Sequence, residues 1–305
     1  MIEIWTADGH IIRGTLWLPD GPPKSIIQIF HGLGEHHERY ERFAQLATAN
    51  GFGVVAHDHR GHGGSADELG HIADKDGWRL MVDDSLRVND RILEQHPGVP
   101  IILLGHSMGS YIAQYFTMHH GDRLSALVLS ASTWPNKPQL IAGRVLAWLE
   151  SLRLGARGKS KLLDQLGFGN FNKRFEPART PADWISRDES EVDAYVADPL
   201  CGGPYSCRLW LDLLGGLSSI ASDNELQRIR SDLPILLTGG GDDPVGGEAG
   251  IANLAMHYAQ TGHTHLGVRI YPGGRHEMFN ETNRDEFSAN VLSWIEKQLP
   301  AITNA

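Results

Sequence analysis

At 305 residues the chain is long enough for a large core in one or two domains, and with 41% hydrophobic and 21% charged residues it has the composition of an ordinary folded protein. A formal net charge of -10 argues against a nucleic-acid binder, which needs a basic face to neutralise phosphates, and against adhesion to anionic lipid by charge alone. No apolar run approaches the ~20 residues that span a bilayer, and the first ten residues lack the basic start and apolar stretch of a signal peptide, so the expected setting is the cytoplasm, with no transmembrane segment.

Two apolar stretches, Ile2 to Trp5 and Ile11 to Leu18, flank Asp8-Gly9 and predict an antiparallel hairpin. Gly21-Pro22-Pro23 breaks the pattern, and Ser25 to Phe30 starts a buried strand that runs into the loop His31-Gly32-Leu33-Gly34. Arg42 to Asn50 reads as a helix with Phe43, Leu46 and Ala47 on one face and Gly51 as its cap. Gly53 to Ala56 is the next strand, followed by the glycine-rich Asp58 to Ser65. Trp78, Met81, Val82, Ser85, Val88 and Ile92 then recur at helical spacing. Ile101 to Leu104 predicts a strand buried on both faces, Tyr111 to Phe116 a packed helix, and Ser125 to Ser130 a further strand.

The alternation stops near Ala131. Residues 132–228 carry helical stretches, Ile141 to Leu154 and Glu191 to Ala197, but no convincing strand. It resumes with the strand Leu233 to Thr238, a helix from Ala249 to Gln260, the strand His265 to Tyr271, and a helix with Phe287, Val291, Trp294 and Ile295 on one face. The economical reading is an α/β core formed by residues 1–131 and 229–305, interrupted by a helical insertion over 132–228.

Between the strand at Ile101 and the helix at Tyr111 lies Gly105-His106-Ser107-Met108-Gly109, the G-x-S-x-G pattern in which a serine sits on a strained strand-to-helix turn. A serine hydroxyl needs a base to take its proton. Among sixteen histidines, His276 follows the carboxyl end of the strand closing at Tyr271, where functional loops of an open parallel sheet lie; His257, His263 and His265 fall at the wrong end. An acid to hold the base is offered by Asp242 or Asp243, side by side after the strand that closes at Thr238. The order Ser, Asp, His is that of the α/β-hydrolases, whose oxyanion donors are the N–H after the nucleophile, here Met108, and one in the loop after an early strand, for which Leu33 is the natural choice.

With these stretches His31 to His36 followed by Arg39-Tyr40, Asp58 to Ser65, Gly105 to Gly109, Gly240 to Val245 and Gly274 to Glu277, the chain resembles the monoacylglycerol lipase and lysophospholipase group of α/β-hydrolases, which also holds proline-type serine aminopeptidases. The resemblance implies the α/β-hydrolase fold, a mostly parallel sheet with flanking helices and a helical cap inserted after the strand near residue 130. It places the acid on Asp243 and the oxyanion donors on Leu33 and Met108. It also sets Glu35 and Arg39 near the polar head of the substrate, against the plainer reading of an i, i+4 ion pair. The implied activity is hydrolysis of a carboxylic ester, such as a monoacylglycerol or lysophospholipid with one acyl chain, through an acyl-enzyme.

Two other readings stand beside it. An aminopeptidase would need a carboxylate for a free α-amino group, and Glu189, Glu191 and Asp193 are the candidates in the insertion. A catalytically silent hydrolase fold acting as a binding protein is disfavoured because all three catalytic residues are present. No cofactor is implied: Gly32-Leu33-Gly34 lacks the third glycine of a dinucleotide fingerprint, and no P-loop lysine occurs. The order His57-Asp58-His59-Arg60-Gly61-His62 does not suit a metal centre. Cys201 and Cys207 are too few for a disulfide scaffold and read as free thiols. The apolar run Leu146 to Leu154, with Trp148 and Leu149, is expected to be the packing face of a helix in the insertion rather than an acyl channel. Oligomeric state is left open.

Overall fold

The computed structural model describes residues 1–299, so the last six residues of the expected core segment, 300–305, lie outside the described residues. In chain order the elements are β1 (Ile2–Trp5), β2 (Ile11–Trp17), β3 (Ile26–Phe30), α1 (Glu41–Ala49), β4 (Gly53–His57), α2 (Gly77–Gln95), β5 (Ile101–His106), α3 (Met108–His120) and β6 (Ala126–Ser130). They continue with α4 (Lys137–Leu154), α5 (Lys161–Phe168), α6 (Glu189–Ala197), α7 (Cys207–Ile220), α8 (Asp223–Leu226), β7 (Ile235–Gly240), α9 (Gly247–Gln260), β8 (Leu266–Tyr271) and α10 (Arg284–Gln298).

The strands form one sheet in the order β1-β2-β4-β3-β5-β6-β7-β8. β1 pairs antiparallel with β2, as the Asp8-Gly9 turn predicts, β2 also pairs antiparallel with β4, and every later pairing is parallel. The mostly parallel sheet with flanking helices is the α/β-hydrolase architecture the resemblance implies. From β3 the chain winds outward to β4 and then crosses back to β5 on the other side of β3, so the loops that follow β3 and β5 flank a crevice where open α/β sheets bind ligands.

The sheet has an apolar core on each face. Phe30, Leu103, Leu127 and Leu237 point toward α2, α3 and α9, where they meet Met81, Val88, Ile112, Phe116 and Leu254. Ile29, Val54, Ile102 and Val128 point to the opposite face and meet Phe43 of α1 and Phe287, Val291 and Ile295 of α10. Strands buried on both faces read as continuous hydrophobic runs, which is why β3, β5 and β6 stood out in the sequence.

Between β6 and β7 lie five helices, and the described residues there add no strand to the sheet. α4 starts at Lys137, earlier than the apolar run at Ile141, because the Asn136 side chain accepts from Gln139 N and Pro138 fits the first turn. α5 and α7 were not anticipated, although Leu209, Leu213 and Ile220 of α7 lie buried at helical spacing.

The expectation for Leu146 to Leu154 is corrected by the structure. Trp148 is 52% exposed, Leu149 49% and Leu152 67%, so most of the stripe faces outward. The side of α4 that packs on α7 is built from small residues instead: Ala147 is fully buried, and Gly143 lies against Leu214. Glu150, on the same side, bonds Arg153 and the Ser160 hydroxyl. Small residues let the two helices approach closely and leave the large apolar ones no room on that side.

Candidate active site

Ser107 sits between β5 and α3 with φ 50° and ψ −121°, a left-handed conformation unfavourable for a residue with a side chain. The turn can be this tight only because of its two glycines. A Cβ at Gly105 would lie 2.5 Å from the Gly109 carbonyl oxygen, and one at Gly109 would be driven into the carbonyl of Phe30 and lie 2.5 Å from that of His31. The Ser107 N–H is anchored to the carbonyl of Ser130 in the neighbouring strand at 3.0 Å.

His276 and Asp243 come to this serine from the loops after β8 and β7. His276 Nε2 is 2.9 Å from Ser107 Oγ, and its Nδ1 is 2.9 Å from Asp243 Oδ1. Asp243 Oδ1 also accepts from the Val245 N–H at 2.9 Å, and both Asp243 and His276 are buried. The neighbouring Asp242 points away and bonds Arg174 at 2.5 Å on the surface, which separates two carboxylates the spacing alone left equivalent. Burial pulls the His276 pKa down, but the charge and hydrogen bond of Asp243, with Glu277 and Glu35 nearby, outweigh it and hold the imidazole above its ordinary value.

Leu33 and Met108 line the same cavity as Ser107. Met108 opens α3, so its N–H has no acceptor within the helix, and the Leu33 N–H takes no part in a loop hydrogen bond among the described residues. The Leu33 loop is braced from beneath. His31 Nε2 accepts from the His59 N–H at 2.9 Å, which leaves Nδ1 to donate to the Gly32 carbonyl at 2.8 Å, and the Gly32 N–H donates to Glu35 Oε1 at 2.5 Å. His57, His59 and His62, from the stretch judged unsuited to a metal, pack with His31 under this loop as mutually touching rings. All four are buried, and burial lowers all four pKa values, that of His57 to about 4.

Of the two residues expected at the polar head, Glu35 lines the cavity, while Arg39 stands behind it. Arg39 Nε is 3.6 Å from Glu35 Oε2, so the i, i+4 ion pair exists, but it is buried rather than exposed. Arg39 also bonds Glu277, a cavity-lining carboxylate that sequence reasoning missed. Burial first, and then the charge of Glu277, push Glu35 up to about 7. Glu277 directly follows His276, but nothing in the sequence distinguishes a carboxylate turned inward there from one left in solvent.

The remaining wall is apolar and comes mainly from the residues between β6 and β7: Phe168, Phe171, Trp184, Ile185, Trp210, Leu213 and Leu217 enclose a cavity of about 200 Å³ over Ser107. This segment is tied to the loop after β8, with His276 N–H donating to Trp184 O at 3.4 Å and Glu277 N–H to Ile185 O at 2.7 Å. It is also tied to the loop after β3, through His36 Nε2 and Asp198 Oδ2 at 2.8 Å. Glu189, Glu191 and Asp193 are not on the cavity wall; Glu191 pairs with Arg42, and Asp193 with Arg179. Cys201 and Cys207 are unpaired thiols.

The sequence profile of the serine aminopeptidase S33 family matches residues 21–283. The chain belongs to this family. This S33 chain is 31% identical to a monoglyceride lipase of Homo sapiens over 278 residues, 90% of this chain and 82% of that protein. It is 30% identical to a monoacylglycerol lipase of Mycolicibacterium smegmatis over 284 residues, 93% of this chain and 92% of that one. Among solved structures, a thermostable carboxyl esterase from Bacillus coagulans, crystallised with glycerol, superposes with a TM-score of 0.89 at 29% identity, covering 98% of both chains. No helix among the described residues of this S33 member is long and apolar enough to cross a membrane.

Proposed function

We propose that Ser107 attacks the carbonyl carbon of a carboxylic ester while His276 takes its proton, Asp243 steadies the resulting imidazolium, and the N–H groups of Leu33 and Met108 receive the oxyanion. Collapse of the tetrahedral intermediate returns the proton from His276 to the leaving alcohol and leaves an acyl group on Ser107. A water deprotonated by His276 then releases the acid and restores the serine. The observation that carries this reading is the unbroken chain from Ser107 Oγ through His276 to Asp243, with both contacts at 2.9 Å, on the floor of the cavity.

The protein is an ester hydrolase of the monoacylglycerol lipase type. Relatives named for monoglyceride hydrolysis and a neighbour named as a carboxyl esterase support this over the aminopeptidase reading. The three acidic residues once open to an amino group pair elsewhere or stand in solvent. A complete, aligned triad also speaks against a silent binding protein. The favoured substrate is a monoacylglycerol or similar ester with one acyl chain, because the cavity of about 200 Å³ is largely apolar, with Glu35 and Glu277 beside the serine. Residues 132–228 serve in this reading as a cap that shapes the acyl side, and the unpaired thiols fit a reducing, cytoplasmic setting.

The test is turnover of p-nitrophenyl esters of graded length, of monoacylglycerol and of amino-acid anilides by the protein and its Ser107→Ala variant. Ester hydrolysis lost in the variant is expected. Equal rates in the two proteins would overturn the serine mechanism, and anilide turnover without ester turnover would replace it with a peptidase.

A further inference from the structure

Above about pH 7, where Glu35 is ionised, the polar end of the cavity holds more negative charge than its one counter-ion neutralises. Glu35 and Glu277 both form its wall, and no lysine or arginine does among the described residues. Arg39 lies behind the two carboxylates, bonded to Glu277 Oε2 and 3.6 Å from Glu35 Oε2. Its far side is closed by the Tyr195 ring, 5.0 Å away. Glu35 Oε1 accepts from Gly32 N–H and, at 2.9 Å, from Tyr40 Oη; Glu277 Oε2 also accepts from Asn280 Nδ2 at 3.0 Å. No donor among the described residues reaches Glu277 Oε1. His106, with Nε2 4.0 Å from Glu35 Oε1, adds no positive charge, because burial holds its pKa well below the ordinary value.

This acidic end adjoins the reacting centre. The position a Cβ would take on Gly32 lies 2.8 Å from Glu35 Oε1 and 3.2 Å from Ser107 Cβ, so the carboxylate is about one side chain's width from the nucleophile. Phe168, Phe171, Trp210, Leu213 and Leu217 give the rest of the cavity an apolar wall that suits the acyl chain. The alcohol half of the ester is therefore left to the carboxylates.

We propose that Glu35 and Glu277 act together as a charge filter on the leaving alcohol: the site takes esters whose alcohol carries hydroxyl or cationic groups and refuses those carrying a phosphate. The filter rests on the reading of Ser107 as nucleophile, and it divides the substrate class, favouring monoacylglycerols over lysophospholipids with anionic heads. A carboxylate accepts hydrogen bonds from hydroxyls, whereas a phosphate has only acceptors to offer it. One uncompensated like charge at ~6 Å, with an effective dielectric constant of ~20, corresponds to about 100-fold in relative rate.

The test uses three water-soluble butyrate esters, so that no lipid surface intervenes: 1-butyrylglycerol, 1-butyrylglycerol 3-phosphate and butyrylcholine, compared by kcat/KM at pH 8. The phosphate ester is expected to be at least tenfold poorer than the glycerol ester, and the choline ester, similar in bulk to the phosphate, to fall within tenfold of the glycerol ester. Glu277→Gln should narrow the glycerol-to-phosphate gap at least tenfold. A wild-type gap below tenfold, a choline ester as poor as the phosphate ester, or a gap unchanged in the variant would each overturn the filter. Should Glu277→Gln fail to fold, Glu35→Gln provides the same comparison, and the wild-type ratios alone still decide. Activity of Ser107→Ala on 1-butyrylglycerol would instead remove the underlying reading, so the two failures are distinct.

Discussion

Replacing Asp243 by Asn keeps the size and removes the charge of the group 2.9 Å from His276 Nδ1. In the proposed mechanism His276 takes the serine proton, and the imidazolium gains the attraction of that carboxylate. With charge centres ~4 Å apart and an effective dielectric constant of ~20 this is about 4 kcal/mol, or roughly 10³ in rate. An amide also turns an N–H toward Nδ1 and favours the wrong tautomer, which brings the expected loss in kcat/KM to about 10⁴, the scale known for such a change in other triads. Asp242→Asn removes only a half-exposed pair with Arg174, worth under about 1 kcal/mol, and should leave the rate within about threefold. The assay is hydrolysis of p-nitrophenyl butyrate from pH 5 to pH 9. His276 is held above its ordinary 6.5 and must be neutral to act as base, so the acidic limb of the wild-type profile should fall above that value and move to lower pH in Asp243→Asn. A dead Asp242→Asn beside an active Asp243→Asn would refute the assignment, and an unmoved acidic limb would refute the electrostatic argument.

Gly109→Ala should abolish soluble expression or activity, since its Cβ would enter the Phe30 carbonyl, whereas Gly121→Ala, facing only the Thr117 methyl at 3.2 Å, should be tolerated; activity and thermal melts of both variants check this. Leu213→Trp should fill the acyl side and lower kcat/KM for octanoyl esters at least tenfold while changing acetyl esters less than threefold; an equal loss for both would place the acyl chain elsewhere. The buried histidines under the Leu33 loop have folded pKa values below their unfolded 6.5, that of His57 about 4. Between those limits the unfolded chain binds more protons, so stability is present near pH 7 and is lost as pH falls toward 4, by about 1.4 kcal/mol per pH unit for each histidine that stays neutral in the fold. Urea midpoints at pH 7, 6 and 5 should fall accordingly, and a flat series would contradict the burial of these rings as neutral groups.

The sheet and the candidate site residues were legible because their signals are local. β3, β5 and β6 are mostly aliphatic runs, and Ser107, His276 and the Asp242-Asp243 pair each sit just past the carboxyl end of a strand. Choosing Asp243 over Asp242 needed either the family pattern or the coordinates, since adjacent side chains diverge and the spacing does not tell which way. The segment between β6 and β7 read poorly for a physical reason. Its helices bury themselves by mutual packing, and α4 does so through Gly143 and Ala147, so its largest apolar residues mislead a reader who equates hydrophobic with buried. Glu277 was invisible because its inward turn depends on Arg39, far away in the sequence. α7 could have been found, since Leu209, Leu213 and Ile220 keep helical period.

The conformation of Ser107 governs which inactive variant is a fair reference. Alanine keeps a Cβ at φ 50°, so Ser107→Ala inherits the same unfavourable turn and should melt close to the parent. Glycine adopts that region without penalty, so Ser107→Gly relaxes the turn at the cost of a looser unfolded chain, and its melting temperature reports the difference between the two. Ligand binding measured on the glycine variant would mix affinity with that relaxation. Binding to the alanine variant measures the cavity as the active enzyme presents it.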